Sequence, residues 1–196
     1  MTLTKTTFRK NCLQKMKKLS NHNKLYRDKR VNQKLKSILK KIKNKEVLFY
    51  YPLGFEVDIL DVLYFLRKSN KIYIPFMQSQ SFKMVPFRLP LYKKKFGIFE
   101  SGNTLRNIKK IDIAIVPVIG VDKNFQRVGF GKGMYDRFFA TLRKKPYTIF
   151  IQPQLCYTRE NICDDYDVSC DLLLALDGTK TIIKNRDGDV IRSTII

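Results

Sequence analysis

The stretch Ile111-Asp112-Ile113-Ala114-Ile115-Val116-Pro117-Val118-Ile119-Gly120-Val121-Asp122, continuing as Lys123-Asn124-Phe125-Gln126-Arg127-Val128-Gly129-Phe130-Gly131-Lys132-Gly133-Met134-Tyr135-Asp136-Arg137, decides the fold. Ile111 to Val116 is a nearly unbroken apolar run, the pattern of a parallel strand covered on both faces, and Pro117 ends it. Gly133 to Arg143 then reads as a helix. Between them, Gly129, Gly131 and Gly133 stand at alternate positions, where backbone N–H groups can approach a ligand closely and the helix turns its positive end to the same place. Phosphate is the natural occupant. Arg127 and Lys132 flank the glycines and can neutralise phosphate oxygens, and Asp136 in the first helical turn can hold a magnesium ion bridging them. The loop is not a Walker A motif, because Gln126 rather than glycine lies five residues before Gly131 and neither Ser nor Thr follows Lys132. It is not the dinucleotide fingerprint either, which would need Gly or Ala where Met134 stands. Taken alone, it reads as well as a structural turn before a helix.

Outward from this segment the chain repeats the same grammar. Val47 to Tyr51, stopped by Pro52-Leu53-Gly54, reads as a buried strand, as do Ile72 to Phe76, Tyr147 to Ile151 and Leu172 to Leu176, with Lys83 to Arg88 a weaker one. Val57 to Leu66 reads as a helix with Leu60, Leu63 and Tyr64 inward, and Asp177-Gly178 and Asp187-Gly188 mark tight turns. The alternation predicts an α/β fold, a three-layer αβα sandwich around a mostly parallel sheet, with ligands at the carboxyl ends of the strands. No internal repeat or linker divides the chain, so residues 1–196 are expected to form one domain, with about 177–196 a terminal extension.

The first 45 residues differ in character. Phe8, Cys12, Leu13, Met16 and Leu19 recur at helical spacing, and a second helix is expected over Lys24 to Lys43 with Leu25, Leu35, Ile38, Leu39 and Ile42 buried. This N-terminal basic helical pair holds 16 Lys and Arg against the single acid Asp28, a net +15 of the chain's +22. Such a field attracts polyanions. The chain's 27 Lys outnumber its 12 Arg, a balance suited to diffuse solvation rather than bidentate base reading, which makes nucleic acid an unlikely partner. Cys12, Cys156, Cys163 and Cys170 form no C-x-x-C pair and are expected as free buried thiols, and the single histidine, His22, disfavours Ser-His-Asp and Cys-His chemistry. The longest apolar run, Ile113 to Val121, is nine residues, so no membrane span is expected, and Met1 to Lys10 holds no apolar signal segment, which makes the cytoplasm the expected location.

The string RVGFGKGMYD after a VPVIGVD strand end is similar to the signature of 5-formyltetrahydrofolate cyclo-ligases, or methenyltetrahydrofolate synthetases, in which a strand ending in V-P leads to R-L-G-x-G-x-G-Y-Y-D. The likeness covers nearly the whole chain. Lys5-Thr6-Thr7-Phe8-Arg9 resembles the family's Lys-x-x-Leu-Arg, implying that Lys5 and Arg9 contribute to ATP binding, together with Arg127, Val128, Gly129, Phe130, Gly131, Lys132, Gly133, Met134 and Tyr135. FYYPLGFEVD resembles the segment in which an aromatic or apolar residue and a glutamate contact the folate, implying substrate-binding roles for Tyr51 and Glu56. Phe130, Gly131, Lys132, Gly133, Met134 and Gln154 are implied to share that role. Pro75, Met84 to Arg88, and Phe96-Gly97-Ile98 with Glu100 follow the order of the family's middle section. Asp167-Val168 resembles the family's H-D-V, implying Asp167 as a magnesium partner of Asp136. The sequence departs from the pattern at Phe125, where glycine is usual, at Met134 for the first tyrosine, at Ile59 for threonine and at Ser101 for proline.

What the resemblance implies is ATP- and magnesium-dependent conversion of 5-formyltetrahydrofolate, free or polyglutamylated, to 5,10-methenyltetrahydrofolate with release of ADP and phosphate. The roles of Lys132 and Arg127 would be catalytic, nearest the transferred group. Phosphoryl transfer needs positioning and charge neutralisation rather than a histidine or cysteine nucleophile, which suits a chain with one histidine. Two other readings stay open: a small basic RNA- or ribosome-associated protein in which the glycine loop is only a turn, and another ATP-using enzyme with a different acceptor on the same scaffold.

Overall fold

A computed structural model describes residues 3–19, 23–94, 98–106, 108–177, 180–185 and 190–193. In chain order its elements are α1 (Lys5–Leu19), α2 (Lys24–Leu39), β1 (Glu46–Leu48), α3 (Leu60–Leu66), β2 (Lys71–Gln78), β3 (Ser81–Pro86), β4 (Tyr92–Lys93), β5 (Phe99–Glu100), β6 (Ile113–Pro117), β7 (Gly120–Val121), β8 (Arg127–Val128), α4 (Met134–Ala140), β9 (Tyr147–Gln152), β10 (Leu172–Asp177), β11 (Lys180–Asn185) and β12 (Val190–Ser193). The apolar runs pair as one eight-stranded sheet in the order β12-β11-β10-β9-β6-β1-β2-β3. Its middle five strands are parallel, with Val47 opposite both Ile72 and Ile113, and Ile115 opposite Ile149. All five residues of β6 are buried, which is why that run lacks polar alternation.

Two apolar clusters make this a three-layer α/β sandwich. On one face Phe49, Ile74, Ile115, Ile149 and Leu174 meet Val31, Leu35 and Leu39 of α2 and Val62, Leu63 and Leu66 of α3. On the other, Leu48, Val116, Phe150 and Leu173 meet Phe138 of α4, which stacks on Phe82 at 4.3 Å between centroids. The two N-terminal basic helices cover different ground. While α2 lies in the first of these layers, α1 rests on the β7–β8 ribbon, with Phe8, Cys12 and Met16 against Ile119, Val128 and Cys156.

Several expectations are corrected at the level of local packing. Leu25 and Tyr64 were expected inside and stand largely exposed, while Val31 and Val62 take the buried positions. Helix α3 starts at Leu60 rather than Val57, because the Tyr50 hydroxyl donates to the Val57 carbonyl at 2.8 Å and Asp58 Oδ1 accepts the Leu60 N–H at 3.0 Å. The weak strand becomes β3, antiparallel to β2, joined by a two-residue turn between Gln78 and Ser81. Four free thiols were expected, but Cys12 and Cys156 form a disulfide with Cα atoms 5.9 Å apart, and Cys163 and Cys170 remain thiols. Laying α1 across the ribbon brings together two cysteines 144 residues apart. Beyond Asp177 the chain adds β11 and β12 antiparallel to the sheet edge; Phe96, Gly97, Gly178, Asp187 and Gly188 lie outside the described residues. No helix among the described residues is long and apolar enough to cross a membrane.

The connections place the site. From β1 the chain builds β2 and β3 to one side, then returns to the other side with β6, β9 and β10. Strands β1 and β6 are therefore the topological switch point, beyond whose carboxyl ends α/β sheets place their ligand crevice. Tyr51 to Glu56 leaves β1 there, and the ribbon with its glycine loop leaves β6 there.

Candidate active site

The glycine loop is held by a buried carboxylate. Asp122, fully buried, accepts N–H groups of Asn124 at 2.9 Å and Gln126 at 3.0 Å on Oδ1, and that of Cys163 at 3.2 Å on Oδ2. The resulting turn places Phe125 in the left-handed region, φ 58°, so the family's usual glycine stands at a position whose backbone favours glycine. Asp122 drew no role from the sequence, although an acid closing an apolar run before a turn was the available signal. After the turn, Val121 pairs with Arg127 and Gly120 with Val128, aiming residues 129–133 toward α1.

Arg127 does not sit at the surface beside Lys132, as an expected neighbour of the transferred group would. Its guanidinium is buried: Nε and Nη2 donate to the Pro117 carbonyl at 3.4 and 3.3 Å, Nη1 lies 3.9 Å from Asp136 Oδ2, and the plane lies 4.8 Å from the Tyr135 ring. A Cβ on Gly129 would collide with that guanidinium, so this glycine is needed to admit Arg127. Gly131 and Gly133 serve the backbone instead, at φ 89° and 58°. Burial lowers the Arg127 pKa, opposed by Asp136, and drives that of Tyr135 up. Lys132 is exposed.

Helix α1 reaches this loop with its polar face. Arg9 Nε donates to the Gly129 carbonyl at 2.8 Å, and Lys5 pairs with Asp167 Oδ2 and, at 3.3 Å, with Asp164 Oδ2. Burial works to lower the Lys5 pKa, and the hydrogen bond and charge of Asp167 outweigh it, so the net shift is upward. Asp167 Oδ2 also accepts the Asp164 N–H at 2.8 Å, while Asp136 Oδ1 accepts the N–H of Val168 at 3.1 Å. Asp136 and Asp167 thus meet through the backbone of one residue and border one cavity of about 500 Å³ with Lys145, Tyr147 and Thr148. Gly129 to Gly133 do not line that cavity.

The segment after β1 approaches from across the crevice. Phe55 meets Phe130 at 5.4 Å between centroids, joining the two loops. Glu56 is buried, accepts the Leu53 N–H on Oε2 at 2.8 Å, and has a pKa pushed up to about 7 by burial, partly offset by that bond and by the charges of Arg127 and Lys24. Lys24 Nζ donates to the Glu56 carbonyl at 2.8 Å. Tyr51 is half-buried and packs on Phe99 at 5.1 Å, and Gln154 is half-buried in the loop after β9, whose other glutamine, Gln152, is hydrogen-bonded to Cys156.

Lys5, Arg9, Arg127, Gly129, Asp136 and Asp167 are therefore linked by direct contacts, and the Glu56 loop meets the glycine loop through Phe55 and Phe130, whereas Tyr51 packs on Phe99. Among the described residues no group of three or more His, Cys, Asp or Glu side chains could hold a metal ion. Asp136 and Asp167, both bonded to the backbone of the 164–168 segment, are carboxylates of the kind magnesium takes, since it binds through one or two protein carboxylates and completes its shell with phosphate and water.

Comparison with known proteins gives the family. A family model described as the 5-formyltetrahydrofolate cyclo-ligase family matches residues 1–173. The 5-formyltetrahydrofolate cyclo-ligase of Mycoplasma pneumoniae is 30% identical over 173 residues, covering 88% of this chain and 98% of the relative; that of Mycoplasma genitalium is 31% identical over 171 residues, covering 87% and 96%. The 5,10-methenyltetrahydrofolate synthetase structure from Mycoplasma pneumoniae superposes with a TM-score of 0.65 at 27% identity, covering 87% of this chain and 98% of that one. The Aquifex aeolicus 5,10-methenyltetrahydrofolate synthetase shares the fold at a TM-score of 0.72 and 23% identity, covering 98% and 95%. With its whole length up to β10 matched and its glycine loop at the switch point, the chain belongs to the 5-formyltetrahydrofolate cyclo-ligase family.

Proposed function

We propose that the protein converts 5-formyltetrahydrofolate, with or without a polyglutamate tail, into 5,10-methenyltetrahydrofolate at the expense of ATP, with magnesium. The formyl oxygen of an amide is a poor leaving group. Phosphorylation by the γ-phosphoryl of ATP turns it into phosphate, which departs as N10 closes the ring, giving ADP and phosphate as the other products. The observation that carries this reading is the meeting of the α1 and glycine-loop cations with the Glu56 loop, bridged by Phe55 and Phe130, outside β1 and β6.

Backbone N–H groups of residues 129–133, with Lys5 and Arg9, bind the phosphates, and exposed Lys132 neutralises the group in flight. Arg127, from its buried seat, adds positive potential beneath the loop and holds Asp136 in place. Asp136 and Asp167 would hold magnesium, which when bound neutralises phosphate charge. Glu56 accepts hydrogen bonds from the N–H edge of the pteridine, and Tyr51 and Gln154 line the approach. Phe55 and Phe130 shield the reacting atoms from water.

The test is the near-ultraviolet absorbance of the methenyl product with purified protein, ATP, magnesium and 5-formyltetrahydrofolate. Lys132→Ala is expected to cut the rate by about a thousandfold with an unchanged melting temperature. Product formation by the unaltered protein without ATP, or an unaffected Lys132→Ala, would contradict the proposal.

A further inference from the structure

The disulfide ties α1, which carries Lys5 and Arg9, to the loop after β9. Cys12 lies on α1, one turn beyond Phe8 and on the same buried stripe, and the helix carries Lys5 and Arg9 to Asp167 and Gly129. Cys156 is seated rigidly. Its N–H and carbonyl are both bonded to the buried Gln152 side chain at 3.2 Å, and the carbonyl also accepts the Val121 N–H at 3.0 Å. By contrast α1 has three buried side chains, Phe8, Cys12 and Met16, one of which is the cysteine itself. A helix held by a small satellite cluster rather than by the main core can open locally at a free energy below that of global unfolding.

We propose that the Cys12–Cys156 pair is a redox-responsive strap that holds α1, and with it Lys5 and Arg9, onto the nucleotide site; its consequence for catalysis rests on the function proposed above. A low-molecular-weight disulfide is the oxidant. One protein thiolate attacks it, releasing one thiol and forming a mixed disulfide, and the second protein thiolate then displaces the other thiol. The two protein sulfurs lose two electrons, the small disulfide gains them, and the two thiol protons leave on the released small thiols. A low-molecular-weight dithiol reverses the exchange. The sulfurs are inside, at 0% and 6% residue exposure, so exchange in either direction passes through the opened state of α1.

The strap changes how often the site is assembled rather than the chemistry within it. Without the bond, nucleotide affinity falls by the fraction of time α1 is docked, and the same binding energy must also dock the helix. Glu56, Lys132 and Asp136 lie outside α1.

The test uses the full chain equilibrated with glutathione disulfide or with dithiothreitol. After denaturation, thiol titration is expected to count two thiols in the first sample and four in the second. Reduction should raise amide hydrogen exchange across residues 5–19 and weaken binding of magnesium and a non-hydrolysable ATP analogue, each by about tenfold. Exchange in α2 should stay unchanged. The variants Cys12→Ser and Cys156→Ser should bind the analogue weakly in both buffers. Four thiols in both samples, or equal α1 exchange and equal affinity in the two redox states, would overturn the strap. If the redox response appears but no methenyl product ever forms, the strap stands and the proposed reaction falls.

Discussion

Helices α1 and α2 look alike in the sequence, both lysine-rich with an apolar stripe, yet they hold different parts of the molecule. The α2 stripe of Val31, Leu35 and Leu39 enters the main core, a cluster shared with α3 and six strands of the sheet. The α1 stripe of Phe8, Cys12 and Met16 meets a smaller cluster around the ribbon and Cys156, while its polar face supplies Arg9 to Gly129 and Lys5 to Asp167. Equal periodicity does not mean equal energetic weight; what each stripe packs against decides whether a helix serves stability or the site.

Truncation breaks the comparison most sharply in α2. Leu35 is fully buried, so Leu35→Ala is expected to destabilise the protein by about 3 kcal/mol in denaturant unfolding, with ATP affinity of the folded fraction unchanged. A comparable loss from Phe8→Ala would erase the distinction.

The contact of α2 with the site, through Lys24 and Glu56, can be read by pH. The folded pKa of Glu56, about 7, lies above its ordinary 4.5, so the folded state keeps a proton that the unfolded chain releases. Its stabilising contribution is full below about pH 4.5 and is lost as pH rises through 7, a change of at most about 3 kcal/mol. Glu56→Gln should abolish that slope in stability measured from pH 5 to 8. In the unaltered protein, folate binding should tighten as the pH rises through 7 and the acceptor becomes charged. A flat profile in both proteins would count against a buried carboxyl there.

For α1 the effect should fall on function. Arg9→Ala removes a charged hydrogen bond to the glycine loop, so KM for ATP should rise about tenfold, while stability changes by under about 1 kcal/mol. A loss of stability without a change in KM would make α1 a packing element like α2. The smallest effect is expected at Lys29 and Lys40, exposed on and just beyond α2, where substitution by Gln should change stability by under about 0.5 kcal/mol and leave KM unaltered. A fall in ATP affinity there would mean that the general basic field, rather than the converged residues, recruits the nucleotide.

The layered fold was legible because its strands are buried on both faces. Runs such as Ile113 to Pro117 and Leu172 to Leu176 admit no polar alternation, so position in the chain and burial pattern coincide. Strand β3 was harder to place, because only its pairing with β2 sets it antiparallel. Helix boundaries shifted where a side chain reached backbone, as Tyr50 does to Val57. The glycine loop and Asp136 were legible as a motif and Asp167 through the resemblance, but the interior position of Arg127 was not, because only the Pro117 carbonyl and Gly129 make room for it inside. The disulfide was invisible because spacing carries no pairing information across 144 residues.

The most direct measurement is an NMR titration of the backbone amides of Gly129, Gly131 and Gly133 with magnesium-ATP, followed by 5-formyltetrahydrofolate. The account predicts that these resonances move and saturate together with ATP binding, that Phe55 and Phe130 respond when the folate is added, and that the amides of α2 beyond Lys24 stay in place. Saturating nucleotide that leaves the three glycines unshifted while resonances elsewhere respond would contradict it.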